Sequence, residues 1–178
     1  QTPALAVGLD RARNDCIVTM DADLQNLPAD IPRLVAKLEE GFDVVVGWRR
    51  DRRDPWLSRR LPSLVANWIL SRTMGLAIHD SGCTLKAIRA DVVRRLPLYG
   101  EMHRFIPALS LGAGARVTEI PVGHCERAFG SSKYGIGRTF GVVLDMLTLK
   151  VLIEFSSRPL HWFGLTGMTT LLLAGMFF

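Results

Sequence analysis

Two aspartates separated by one residue, in Asp21-Ala22-Asp23-Leu24-Gln25, follow directly on the apolar run Cys16-Ile17-Val18-Thr19-Met20. A buried strand that ends in two acidic side chains places carboxylates at a sheet's carboxyl edge, where open α/β folds bind ligands. Hard oxygen donors there suit a divalent cation, Mg2+ or Mn2+, shared with the phosphates of a substrate. The strand is expected to break into a turn at Asp21. Asp23 is then the direct metal contact, Asp21 reaches a substrate nucleotide or the groups just outside the metal's own ligands, and Gln25 adds a neutral oxygen or an amide.

A second group of chemistry-bearing residues lies in Arg127-Ala128-Phe129-Gly130-Ser131-Ser132-Lys133-Tyr134-Gly135. A guanidinium, an ammonium and two hydroxyls within one short loop are what an anionic oxygen cluster requires. Another basic cluster, Arg49, Arg50, Arg52, Arg53, Arg59 and Arg60, reads as a solvated loop or a site for anionic headgroups. A net charge of +5, gathered in two places rather than along one helix face, argues against nucleic acid and for a phosphate-bearing substrate near a membrane. Cys16, Cys83 and Cys125 have no close pair, so neither a zinc site nor a disulfide framework is expected.

The elements that must position these groups alternate as helix and strand, which predicts a mainly parallel sheet with crossover helices. Helices are expected over residues 3–13, 30–40, 56–74, 90–96 and 102–112, and strands over 16–20, 42–47 and 116–122. Residues 80–89 combine a turn with a short strand. Gly41 is placed to end the second helix. Residues 136–158 predict an amphipathic juxtamembrane helix, with a domain-covering helix as the alternative. From Trp162 to Phe178 no residue is charged, so residues 159–178 are expected to begin a transmembrane helix. Lys150 and Arg158 before it, and no signal peptide ahead of the first strand, put the globular part (1–135) on the cytoplasmic face. The chain has no initiator Met, and its apolar end simply stops, so a longer parent protein is expected.

The acidic motif, Gly47-Trp48-Arg49, Asp80-Ser81-Gly82-Cys83, Glu101-Met102-His103-Arg104-Phe105-Ile106-Pro107 and Arg127 through Tyr134 together resemble glycosyltransferase family 2. The similarity is to its polyprenyl-phosphate group, which includes dolichol-phosphate mannose synthases and undecaprenyl-phosphate sugar transferases. That resemblance implies a GT-A fold, partial here, with a metal and donor-diphosphate site at Asp21, Asp23 and Gln25. It places Arg49, Ser81, Arg127, Ser132 and Lys133 around the phosphates, the acceptor's above all. The expected partners are a nucleotide-diphospho-sugar, a polyprenyl phosphate and membrane lipid, with a homo-oligomer left open. The family's first strand and Pro-x-Tyr-Asn-Glu-type loop are expected ahead of Gln1.

The implied reaction is inverting sugar transfer, with Asp23, Asp80 and Arg127 as catalytic candidates. Asp80 either orients the acceptor or sugar, or caps a turn with Ser81. Glu101 and His103 either face the sugar or are structural. Aspartyl-phosphate hydrolases also carry Asp-x-Asp after a strand, but their Thr or Val two residues beyond the second Asp is replaced by Gln25. A membrane-anchored, non-catalytic adaptor that binds anionic lipid is the remaining alternative, and it leaves the acidic junction without a role.

Overall fold

A computed structural model describes residues 2–50, 75, 78–98, 102–125, 148 and 159–177. The element order begins with helix α1 (Thr2–Arg11), strand β1 (Cys16–Thr19), a 3-10 turn (Pro28–Asp30), helix α2 (Ile31–Glu39) and strand β2 (Val44–Trp48). Strand β3 (Lys86–Arg89), helix α3 (Ala90–Val93), a 3-10 turn (Met102–Phe105), helix α4 (Ile106–Gly112), strand β4 (Val117–Pro121) and helix α5 (Pro159–Phe177) follow. The helices expected at 56–74 and 136–158 lie outside the described residues, except for Thr148.

Each element has a local cause. Pro32 sits in the first turn of α2, where its missing N–H costs nothing. Leu34 and Leu38, four residues apart, lie on one helical face and are fully buried against β2 and β3. Gly41 stops that helix with φ +106°, a left-handed conformation that a side chain would resist. In β2 the consecutive Val44, Val45 and Val46 are all fully buried. Since successive strand side chains point to opposite faces, the sheet is covered on both sides. Thr2 of α1 bonds through its hydroxyl to His103 Nδ1 at 2.6 Å, and both are buried, which ties the first helix to the turn before α4.

The strand order is β1-β3-β2-β4. β3 runs antiparallel to both β1 and β2, while β2 and β4 are parallel, in register Val44↔Val117 through Trp48↔Pro121. The mainly parallel sheet expected from the alternation of elements is therefore corrected to a mixed one. Strands β1, β2 and β4 share a direction, and β3 is inserted against them. The reason is that the chain comes back to the sheet at the same edge where β2 leaves it. Gly47 N–H donates to Leu85 O at 2.9 Å, and a strand that starts beside its neighbour's end has to run the other way. At the opposite edge Asp43 accepts from the Arg116 backbone N–H at 2.8 Å and meets the Arg89 and Arg116 guanidinium groups at 3.8 and 3.5 Å. That cluster holds the starts of β2 and β4 and the end of β3 together.

Helix α5 spans 19 residues and exposes Leu160, Phe163, Leu165, Met168 and Leu171. Its threonines bond back to the helix, Thr169 and Thr170 both donating to Thr166 O at 2.8 Å. Among the described residues no helix is long and apolar enough to cross a membrane. At 19 residues the rise is about 28 Å, against roughly 30 Å of hydrocarbon.

Gly47 is where the sheet's packing is tightest. A Cβ there would lie 2.9 Å from Val122 Cγ2, 3.1 Å from Leu85 O and 3.2 Å from Cys83 Sγ. Gly47→Ala is expected to destabilise the chain by about 1–3 kcal/mol through overpacking, read as a lower urea midpoint with an unchanged m-value.

Candidate active site

Because β1, β2 and β4 point the same way, their carboxyl ends share one edge with the amino end of β3. Four segments meet there: residues 20–30 after β1, Arg49 after β2, residues 78–85 before β3, and residues 122–125 after β4.

The acidic corner occupies the first segment. β1 ends at Thr19, two residues before the expected break, and the chain bends over residues 22–24. Residues two apart on extended backbone already share a face, so Asp21 and Asp23 need no turn to point together. The bend serves another purpose. Asp23 Oδ1 accepts from the Gln25 backbone N–H at 3.2 Å, and Leu24, 67% exposed, adopts φ +61°. A non-glycine residue in that region stores about 1–3 kcal/mol of strain, and such strain clusters at ligand sites. Beyond the bend Gln25 exchanges hydrogen bonds with Cys125: its carbonyl accepts from Cys125 N–H at 2.9 Å, and its side-chain amide donates to Cys125 O at 3.3 Å. Asn26 and His124 form the adjacent antiparallel bridge. Asp30, buried, accepts from Gly123 N–H at 2.8 Å and from Arg33 Nη1 at 2.7 Å.

The approach to β3 is stitched to the same corner. Thr84 O accepts from the Thr19 hydroxyl at 2.8 Å, and the Thr84 hydroxyl accepts from Asn26 Nδ2 at 3.2 Å. Asp80, 4% exposed, receives a two-pronged ion pair: Arg49 Nε to Oδ2 at 2.7 Å and Nη2 to Oδ1 at 2.9 Å. Cys83 N–H donates to Asp80 O at 3.2 Å, closing the turn that contains Ser81. Asp80 thus sits in a turn through its backbone carbonyl, while its carboxylate faces the Arg49 guanidinium. His79 stacks on Trp48, ring centroids 4.4 Å apart, while its backbone N–H donates to Glu119 Oε2 at 2.8 Å and its Nδ1 pairs with Glu119 Oε1.

Sequence reasoning passed over Lys86, the first residue of β3. It is 3% exposed, and its ammonium donates to Cys83 O. Burial pushes its pKa down, with Cys83, Asp80 and Asp21 opposing and Arg49 adding to the shift. A lysine among Leu85, Ala87 and Ile88 was the available signal. Asn26 and Asp30 were equally silent, because their roles arise from partners 58 and 93 residues away. Of the two readings of His103, its burial and its bond to Thr2 inside the fold fit the structural one. Arg127, Ser132, Lys133 and Glu101 lie outside the described residues.

Among the described residues no three His, Cys, Asp or Glu side chains gather as a metal cluster. The carboxylates of Asp21 and Asp23 fit a different arrangement, in which a hard cation takes one or two protein oxygens and completes its shell with substrate phosphates and water.

Residues 1–96 match the family described as Glycosyl transferase family 2. The chain is 46% identical over 171 residues to a dodecaprenyl-phosphate galacturonate synthase of Rhizobium johnstonii, covering 94% of this chain and 51% of the relative. It is 37% identical over 177 residues to an undecaprenyl-phosphate 4-deoxy-4-formamido-L-arabinose transferase of Edwardsiella ictaluri, covering 99% and 53%. The chain spans about half the length of the curated relatives it matches. In fold it is similar to glucosyl-3-phosphoglycerate synthase of Mycobacterium tuberculosis, whose crystal structure holds Mn2+ and UDP-glucose. The TM-score is 0.65 at 20% identity, over 87% of this chain and 55% of that one.

Two outcomes test this geometry. Arg49→Ala leaves the buried Asp80 carboxylate without its fork and is expected to cost about 3–5 kcal/mol, measured by denaturant unfolding. The Cys83 thiol is buried, and burial raises its pKa. Iodoacetamide at mildly alkaline pH is therefore expected to label exposed Cys125 in the native protein and Cys83 only after denaturation, as mapped by peptide mass spectrometry.

Proposed function

The chain belongs to glycosyl transferase family 2, and from that membership we propose that the protein moves a sugar from a nucleotide-diphosphate donor onto the phosphate of a polyprenyl lipid, inverting the anomeric carbon. The observation that carries this reading is the acidic corner, Asp21 and Asp23, at an edge where β1, β2 and β4 all end. Relatives named as polyprenyl-phosphate sugar transferases support the acceptor. A fold neighbour solved with Mn2+ and UDP-glucose supports the donor class and the cation.

In this mechanism Asp21 and Asp23, with Gln25 beside them, hold a divalent cation against the donor diphosphate. When bound, the cation supplies positive charge to the departing nucleotide. Asp23 would be its direct ligand, and the bend at residues 22–24 fixes that carboxylate through the Gln25 amide. Nucleophilic oxygen needs no protein base, because a phosphate monoester with a second pKa of about 6 is already anionic at neutral pH. The protein's work is to aim it. Arg49, its guanidinium plane set by Asp80, is proposed to face that phosphate together with Ser81, Arg127, Ser132 and Lys133. Asp80 acts here by orienting Arg49. The exposed apolar side chains of α5 are proposed to associate with the membrane that holds the acceptor, with the catalytic part on the cytoplasmic face.

The experiment combines full-length protein, candidate labelled nucleotide sugars, a polyprenyl phosphate and Mg2+ or Mn2+, with the lipid-linked product counted after extraction. Asp23→Ala is expected to lower product formation by about 100-fold or more, and chelation by EDTA to abolish it reversibly. Undiminished product from Asp23→Ala would overturn the mechanism. Vesicle binding that needs neither metal nor aspartates, without turnover of any nucleotide sugar, would mark a lipid-binding adaptor instead.

A further inference from the structure

Lys86 is a charge in a place that does not favour one. It opens β3 with its backbone between Thr19 of β1 and Val46 of β2, and it is 3% exposed. Taking an ammonium out of water costs several kcal/mol unless its donors are met, and a methionine of similar length would fill the same space without that cost. Among the described residues its ammonium meets one acceptor, the carbonyl of Cys83 three residues back.

That bond closes a short loop. Cys83 N–H already donates to Asp80 O, so Cys83 is gripped through its amide by Asp80 and through its carbonyl by Lys86. Asp80 in turn carries the Arg49 fork, and Arg49 N–H also lies 3.4 Å from Asp80 Oδ2. A chain of four residues thus runs from a buried ammonium to a guanidinium at the site edge. Each link is a hydrogen bond to a charged group or a turn bond, the kinds least tolerant of a missing partner.

We infer that Lys86 is a positioning residue for the proposed sugar transfer: by holding the Cys83 carbonyl it keeps the Asp80 turn in place, and Asp80 then fixes the Arg49 guanidinium. The kinetic part of this inference rests on the sugar-transfer reading; the structural part does not. Lys86 does not contact substrate, and the inference does not depend on its charge state.

The test begins with amide hydrogen exchange of the full-length protein, which needs no substrate. In Lys86→Met the Cys83 amide is expected to exchange at least about tenfold faster, while Val45 and Val46 in the centre of the sheet keep their protection. Lys86→Gln keeps an N–H donor without the charge and is expected to hold the Cys83 amide closer to wild type. With a nucleotide sugar and polyprenyl phosphate that the wild-type protein turns over, Lys86→Met is expected to lose about tenfold in kcat with the donor KM within about threefold. The Lys86→Met, Asp80→Asn double variant is expected to be no slower than Asp80→Asn alone, as for residues acting in series. Unchanged exchange at Cys83, or losses that add in the double variant, would overturn the inference. So would loss of protection throughout the sheet in both single variants, since Lys86 would then support the fold rather than the turn. If the wild-type protein turns over no sugar nucleotide, the sugar-transfer reading fails, and the exchange measurements still decide the role of Lys86.

Discussion

The ion pair between Arg49 and Asp80 determines where the chain comes back to its sheet, and much of the site's arrangement follows from that. Arg49 is the first residue past β2, and Asp80 precedes β3 by a single turn. Joining them puts the start of β3 at the end of β2, so β3 must run antiparallel. It must also begin at the edge where β1, β2 and β4 finish. A buried ion pair of this kind is weak evidence for stability, because desolvation offsets most of the attraction. Its stronger effect is on specificity. A return at the far edge of the sheet would leave a buried carboxylate without its partner.

Four segments far apart in sequence are thereby bound to each other at that edge. The residues after β1 bond both the approach to β3, through Thr84, and the exit from β4, through Gly123 and Cys125. Asp80 is answered by a fork of two short bonds, and Asp21 and Asp23 stand at the bend, where the donor's charge and its cation are proposed to arrive. The strained Leu24 belongs to this economy: local cost is accepted where the acidic loop has to turn sharply enough to reach the residues after β4.

Such an arrangement suits a transferase whose acceptor is already a nucleophile. With no proton to abstract from a phosphate anion, selectivity and rate rest on fixing charges in space before the reaction begins. Among the described residues, the bonds at this edge restrain loops.

The acidic junction, the strand ahead of it, which is half-buried at the sheet's edge rather than buried, the end of α2 at Gly41 and the strand leading to Val122 were all legible in the sequence. Each depends on neighbours within a few residues: alternation, an apolar run, a glycine free to adopt positive φ. Family membership was legible for the same reason, since its motifs are short and ordered. The direction of β3 was not, nor was the burial of Lys86, the pairing of Asp30 with Gly123, or the choice of Thr2 as the partner of His103. Those features depend on which distant segments share an edge. Hydrophobic periodicity reports the face a side chain takes and carries no information about the partner waiting there; only closure of the sheet around the Arg49–Asp80 pair supplies it.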